Sequence, residues 1–240
     1  MESIMPKSNG VILWRGSSLI DGKPIVVIAT GLNDKTDNSK TGDMIQTWIM
    51  REDVAPHVAI KTGDDASVCG DCNLRPIHAR ARGKRKPCYV KTWQAPRSIY
   101  AAFKRGVYAT AYPATARKLF ADRKVRLGSY GNPSAAPFEI WMNAVSDAIA
   151  CTGYVHNWRT CDRRWSELVM ASVETVAEAI EARKLGYRLF RVREEGDSLQ
   201  SREISCPASK EAGHKTTCSS CIACGGHSSK TRVDIAILPH

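Results

Sequence analysis

The cysteines of this chain have the clearest potential for chemistry, because seven of the nine fall into two short segments. Thiolates two residues apart can bind one ion, and soft thiolate ligands select zinc or an iron–sulfur cluster. The early group offers three thiols with His78 nearby, and the late group offers four with His227 nearby. We predict that zinc, or alternatively a 4Fe-4S cluster, is bound by Cys69, Cys72, Cys88, Cys206, Cys218, Cys221, Cys224 and His227.

Disulfide bonds are the alternative explanation for these cysteines, and they would require an oxidising compartment. The N-terminal segment lacks the charged region and long apolar run of a signal peptide. No stretch reaches the roughly 18 consecutive apolar residues that a membrane helix needs. We therefore predict a cytoplasmic protein with reduced thiols and no membrane partner, and we expect Cys151 and Cys161 to be core residues.

The net charge of +11 favours a phosphate-rich partner, although a solvated basic surface would give the same composition. Cationic side chains contact the nucleic-acid backbone, and the tyrosines and tryptophan interleaved with them can stack on exposed bases. We predict a nucleic-acid partner, DNA in the first place, with backbone contacts from Arg80, Arg82, Lys84, Arg85, Lys86, Arg97, Lys104 and Arg105.

The hydrophobic pattern changes near residue 120. Apolar, β-branched runs separated by turns predict strands in the first part, at 11–14, 24–31, 44–50 and 57–63. The second part alternates strands with helices, and alternation of this kind predicts a parallel sheet covered by helices. The predicted strands there are 124–131, 152–158, 167–173, 187–193 and 233–238, and the predicted helices are 135–150 and 173–186, the latter ending on Gly186.

The predicted fold is α/β, with an incomplete or degenerate (β/α) barrel-like parallel sheet, a β-rich N-terminal part and Cys-rich metal-binding loops; an open sheet is the alternative. We expect a single domain over 1–240. It comprises a β-rich part with the early Cys group at 1–120, β/α units at 121–205, and the late Cys group with the final strand at 206–240.

Ligands of such sheets bind where the parallel strands end at their carboxyl edge. Polar side chains follow several predicted strands, and carboxylates, imidazole and amides suit acid–base and nucleophilic chemistry. Turn and helix-capping roles are the alternative for some of them. The predicted catalytic residues are Asp64, Asp65, His156 and Glu194, and the predicted substrate contacts are Ser129, Tyr130, Asn132, Asn157 and Trp158.

Several segments, among them RLGSYGNPSAAPFEIW, TGYVHNWR and CPASKEAGHKTTCSSCIACGG, resemble a family of small Cys-rich phage and prophage proteins, largely uncharacterised. The resemblance implies a phage-encoded protein in the host cytoplasm. The late cysteines are also similar to the zinc site of the tRNA-guanine transglycosylase group, including phage enzymes that exchange guanine for a 7-deazaguanine base in DNA. That similarity implies a barrel, a zinc site and two catalytic aspartates, although the Cys spacing differs and an Asp-Ser-Gly-Gly segment is absent.

The early cysteines are similar in number and position to those of radical SAM barrels, which bind a 4Fe-4S cluster, although the C-x3-C-x2-C spacing is absent. The leading prediction is a glycosyltransferase that acts on DNA, in which one carboxylate attacks the sugar C1′ and another moves the proton. Its target base would first leave the stack. The alternatives are an iron–sulfur radical enzyme and a metal-stapled nucleic-acid-binding protein without catalysis.

Overall fold

The computed structural model describes residues 8–33, 38–81, 83 and 88–239. Four of the predicted phosphate contacts, Arg82, Lys84, Arg85 and Lys86, lie outside the described residues. The strands are β1 (Gly10–Ser17), β2 (Pro24–Thr30), β3 (Ile45–Arg51), β4 (Ala109–Thr110), β5 (Lys124–Tyr130), β6 (Ala150–Val155), β7 (Met170–Val173), β8 (Leu189–Val192), β9 (Glu203–Ser205) and β10 (Asp234–Ile237).

The helices of the described residues are short, and none has the length and apolar character needed to cross a bilayer. A single 3₁₀ turn covers Pro133–Ala135. The α-helices are α1 (Pro56–Thr62), α2 (Ala66–Cys69), α3 (Pro76–Ala81), α4 (Ala95–Lys104), α5 (Pro113–Phe120), α6 (Phe138–Val145), α7 (Trp165–Leu168), α8 (Val176–Lys184) and α9 (Cys218–Cys221).

The strands form one sheet in the order β4-β1-β2-β3-β5-β6-β7-β8-β10-β9. The first three strands pair antiparallel, and the pairs from β3–β5 onwards are parallel. The predicted α/β class with a mostly parallel sheet is therefore confirmed. The barrel-like arrangement is not shown, because closure needs the first and last strands to pair. Here the short strands β4 and β9 are the two edges of the sheet as described.

Two of the predicted strands are wrong in whole or in part. The run 57–63 folds as helix α1, with Pro56 in its first turn and Gly63 in the left-handed region at φ 88° after its end. Only Pro56 and Ala59 of this helix are buried, so its apolar run has one buried face rather than two. Similarly, the run 167–173 is a strand only from Met170, because the turn of α7 precedes it.

Helix α8 follows its sequence signals closely. The Thr175 side chain accepts a hydrogen bond from the Glu178 N–H, and the Glu178 carboxylate accepts one from the Thr175 N–H, which completes a capping box. Beyond the helix, Gly186 has a φ of 86°, as predicted for the residue that ends it.

The two faces of the sheet are covered differently. One face packs against helices α5 to α8 in a large core that includes Trp141 and Trp165, whose rings meet edge to face with centroids 6.2 Å apart. The other face carries a smaller cluster in which Met170, Phe190 and Ile235 pack against the late cysteines. The C-terminal segment thus brings the late cysteines, two of them on the single turn of α9, against the parallel strands.

Candidate metal centres and the strand edge

All four late cysteines line one small cavity on the face of the sheet opposite the helices. Cys206 follows β9, Cys218 and Cys221 lie on α9, and Cys224 lies in the turn after it. Side chains from β5 and β6 form the floor of the cavity. The free volume is about 10 Å³, which is roughly the space that one water molecule or ion occupies.

The late thiols are held in place by backbone hydrogen bonds to distant parts of the chain. The N–H of Cys218 donates to Lys40 O at 2.9 Å, and the N–H of Gly153 in β6 donates to Cys224 O at 3.1 Å. Lys124 Nζ donates to Ser219 O at 2.6 Å. These bonds fix both ends of the helical turn against the sheet, so the cavity is part of the fold and not a loose loop.

A buried cation forms the floor of the cavity. Arg126 is 8% exposed, and its guanidinium donates to the Tyr89 hydroxyl at 3.3 Å and lies 5.6 Å from the centroid of the Tyr154 ring. No carboxylate among the described residues forms an ion pair with it. Burial would lower the pKa of Arg126, but the adjacent phenols and the thiols of Cys218 and Cys224 outweigh this effect and raise it.

Burial favours the neutral form of two thiols beside this cation. It raises the pKa of Cys224 to about 12, although a hydrogen bond with the Tyr154 side chain opposes the shift. Burial also raises the pKa of Cys206, against an opposing hydrogen bond from the Ala208 N–H. Thr152 lines the cavity too, and its hydroxyl has no hydrogen-bond partner within the described residues. The described lining of the cavity therefore contains a cation and an unpartnered hydroxyl but no carboxylate.

The histidines near the late group point elsewhere. His227, a predicted ligand, lies outside the set of residues that line the cavity, and its Nε2 contacts Gly186 O at 2.5 Å. His214 Nδ1 contacts Ala208 O at 3.2 Å. The four thiols are therefore the candidate metal ligands among the described residues that line this cavity.

The early cysteines converge on the carboxyl edge of the parallel strands. The N–H of Cys72 donates to Cys69 O at 3.3 Å, and the N–H of Cys88 donates to Leu74 O at 2.7 Å, so the chain returns to the first two cysteines. Burial raises the pKa of Cys69, with the neighbouring Cys72, Asp65 and Cys88 adding to the shift. His78 lies beside this turn, with its Nδ1 3.1 Å from Cys72 O.

Within the described residues, no group of three or more His, Cys, Asp and Glu side chains stands in position to hold a metal ion. The late thiols share a cavity, and the early thiols influence one another's pKa, but neither group forms a metal site in the described residues.

Asp65, predicted as catalytic, is engaged in a buried ion pair. Its carboxylate receives two bonds from Arg75, Nη2 to Oδ1 at 2.8 Å and Nε to Oδ2 at 3.0 Å, and Asp65 is 1% exposed. Arg75 also donates to Gly70 O and Gly63 O. The pair thus fixes the turn that carries Cys69 and Cys72. Asp64 beside it is half-buried, accepts from Thr62 Oγ1 at 2.6 Å and lies 3.6 Å from Arg51 Nη1.

The other strand-end residues fall into distinct environments. Asn132 is buried and donates to Asn157 Oδ1 at 2.7 Å, so two predicted substrate contacts bind each other. Trp158 is 1% exposed and donates to Ser172 O, as a core residue does. Ser129 donates to Gln46 Oε1 at 2.5 Å. Glu194 is exposed and follows β8, more than 100 residues along the chain from the early cysteines.

Tyr130 and His156 lie at the edge where the early cysteines converge. Tyr130 is 3% exposed and its hydroxyl has no partner among the described residues. Burial raises its pKa well above the usual value, and the nearby Cys69, Asp65 and Cys88 add to the shift. Although part of His156 reaches solvent, the surrounding protein removes its hydration and lowers the pKa of the imidazole to about 4.

A cleft of about 620 Å³ lies on the helical side of the same edge, with Gly70 and Asp71 of the early Cys turn in its wall. Ser134, Asn157 and Cys161 also line it, so Cys161 is not a fully buried core residue as predicted. Cys151 is buried, and its thiol lies 3.4 Å from Leu168 O, which confirms the prediction for that residue.

Four predicted phosphate contacts are described, and all are exposed: Arg80 on α3, and Arg97, Lys104 and Arg105 on or just after α4. The last three recur at helical spacing, so they share one side of α4. Trp93, immediately before α4, is 60% exposed.

Sequence reasoning missed Arg126, Tyr89 and Arg75 as parts of the two Cys environments. Arg126 did carry a signal, since a charged residue in the middle of an apolar strand needs a partner when buried. Comparison of the chain with protein-family models, curated proteins and solved structures finds no match.

Proposed function

We propose that this chain is a zinc-thiolate protein in which Cys206, Cys218, Cys221 and Cys224 bind one zinc ion. The zinc fastens the C-terminal segment to the central strands. The observation that carries the proposal is Arg126, a buried guanidinium without a carboxylate partner in the described chain, set against four thiols in one cavity.

Charge balance supports this proposal. An uncompensated buried cation costs several kcal/mol, so its site calls for an anion. Four thiolates around a divalent zinc ion carry a net double negative charge, which Arg126 and the half-buried Lys40 would balance. Lys40 also faces Cys206, Cys218 and Cys224, and desolvation lowers the pKa of its ammonium in the metal-free cavity.

The size of the cavity favours a single ion over an iron–sulfur cluster. Its free volume of about 10 Å³ fits one small particle, whereas a 4Fe-4S cube would have to displace α9 or the strand floor. Four cysteines without an open position match the closed sites that stabilise folds, as opposed to catalytic zinc sites.

Metal analysis of purified protein tests this function. Wild-type protein should contain zinc, and Cys221→Ser should lose one equivalent and lose order in the C-terminal segment, since site formation and folding are coupled. Cys161→Ser is the matched control, because that thiol does not line the late cavity, and its zinc content should be unchanged. Equal zinc in wild type and Cys221→Ser would overturn the proposal.

Nucleic-acid binding is the second function that we propose. The exposed cations Arg97, Lys104 and Arg105 share one side of α4 beside the exposed Trp93, and such a surface suits a phosphate backbone with an adjacent base. Base exchange in DNA remains a prediction from the resemblance. Because Asp65 is held in a buried ion pair with Arg75, we assign it a structural role, and the described site does not support a mechanism with two catalytic aspartates.

A further inference from the structure

We propose that the early cysteines Cys69, Cys72 and Cys88 form a second, independent centre that binds one divalent zinc-type cation, with the fourth position open to a small anion or water and with Tyr130 donating a hydrogen bond to that exchangeable ligand. This centre goes beyond the structural zinc of the late group, because an open position is the mark of zinc sites that bind or activate a ligand.

The backbone turns tightly around these thiols. The N–H of Val90 donates to Cys88 Sγ at 3.5 Å, and the N–H of Arg75 donates to Cys72 O at 3.1 Å. N–H groups aimed at sulfur favour the charged form, and metal-bound thiolates gain from such bonds. The turn thus places one backbone donor at a sulfur of the early group.

The turn is also rigid. The bidentate Asp65–Arg75 pair ties residues 63 to 75 together through further bonds to Gly63 O and Gly70 O. Gly70 has a φ of 58° between the first two cysteines, which brings them to one side of the turn. A preorganised turn of this kind is what holds first-shell ligands in place at metal sites.

Tyr130 supplies the independent sign of a missing ligand. More than nine-tenths of buried polar groups have a partner, and an unpartnered hydroxyl costs about 1–3 kcal/mol. The Tyr130 hydroxyl is in electrostatic reach of Cys69 and Cys88, yet no sulfur, oxygen or nitrogen of the described residues bonds it. An exchangeable ligand on a cation between these thiols would accept this bond.

Among the described residues, Asp65 is engaged by Arg75. His78 Nδ1 contacts Cys72 O at 3.1 Å, so its Nε2 is the ring nitrogen that would compete with the exchangeable ligand for the fourth position. The carboxyl edge beside the turn borders the cleft whose wall includes Gly70 and Asp71, so small molecules have a route to this part of the fold.

Cobalt(II), added to the metal-free full-length chain, tests the centre through the absorption bands of thiolate-bound cobalt. Wild type should bind two equivalents, while Cys221→Ser and Cys69→Ser should each bind one. Azide should alter the cobalt spectrum of wild type and of Cys221→Ser but leave that of Cys69→Ser unchanged, since only the early centre is open. Tyr130→Phe should still bind two equivalents but bind azide about tenfold more weakly, and Tyr187→Phe should match wild type.

Two results would overturn the inference. One is an unchanged cobalt stoichiometry in Cys69→Ser. The other is a cobalt spectrum of the wild-type protein that does not change when azide is added, and this second result does not depend on the folding of any variant. If Cys69→Ser bound one equivalent of cobalt and Cys221→Ser still bound two, the result would instead contradict the late zinc site. The two proposals therefore fail separately.

Discussion

Arg126 donates a hydrogen bond to the hydroxyl of Tyr89 at 3.3 Å, and this bond joins the two cysteine groups. Tyr89 follows Cys88 of the early group directly, while Arg126 lies on the floor of the late cavity. Every cysteine of one group is more than 100 residues from every cysteine of the other, yet the groups flank one strand, β5, with Arg126 near the late thiols and Tyr130 near the early ones.

The charge of Arg126 predicts opposite effects in the two metal states. Arg126→Leu should stabilise the metal-free protein by about 1–2 kcal/mol, because it removes a buried charge without an anionic partner. The same change should weaken zinc binding roughly tenfold, about 1.4 kcal/mol, because it removes a cation beside the thiolates. Denaturant unfolding with and without chelator, together with zinc competition, measures both.

The control for that variant is Arg117→Leu, which removes an exposed guanidinium paired with Asp147. It should change stability by less than about 1 kcal/mol in either state. If Arg126→Leu shifted both states in the same direction, the guanidinium would not be a counter-charge to metal-bound thiolates.

Asp65 should be a stabilising residue. Asp65→Asn leaves Arg75 buried without its anionic partner, and breaking a buried pair costs about 3–5 kcal/mol. Asp64→Asn, at a half-buried neighbouring carboxylate, should cost less than about 1 kcal/mol, because Arg51 keeps its shorter ion pair with Asp53. Urea unfolding distinguishes them, and a folded Asp65→Asn with wild-type stability would show that the ion pair does not hold the turn.

The sequence pattern predicts most strands correctly because their apolar, β-branched runs are buried in the sheet, as in β2 and β5. It fails for α1, since a run of seven residues with one buried face is ambiguous between helix and strand. The residues that surround the late cysteines could not be predicted from the sequence, for a different reason. Arg126 and Thr152 meet the late cysteines only because the fold brings residues 54 to 98 positions apart into one cavity, and no local spacing encodes that meeting.

His156 predicts a pH dependence of stability. Its pKa is about 4 in the folded protein and about 6.5 in the unfolded chain, so the folded state disfavours protonation. The contribution of the neutral His156 to the free energy of unfolding is fully present above about pH 6.5 and is lost as the pH falls toward 4. The free energy of unfolding of wild type relative to His156→Gln should therefore fall by about 1–2 kcal/mol between pH 7 and pH 5. A constant difference across that range would contradict the desolvated imidazole.

The basic side of α4 predicts salt-dependent binding to duplex DNA. Changing Arg97, Lys104 and Arg105 together to Gln should reduce the slope of log K against log salt by up to about 2.7, because each phosphate contact contributes about 0.9. Fluorescence anisotropy at several salt concentrations measures the slope. The exposed cations Lys118, Arg163 and Lys184 provide a charge-matched control triple that should keep it. Equal slopes for the two triples would remove α4 from the interface.

X-ray absorption at the zinc edge tests the late zinc site most directly, on a Cys69→Ser, Cys88→Ser protein that retains only the late group. We predict one zinc ion with four sulfur ligands at about 2.3 Å. A protein without stoichiometric zinc, or zinc coordinated mainly by nitrogen and oxygen, would contradict a zinc site built from Cys206, Cys218, Cys221 and Cys224.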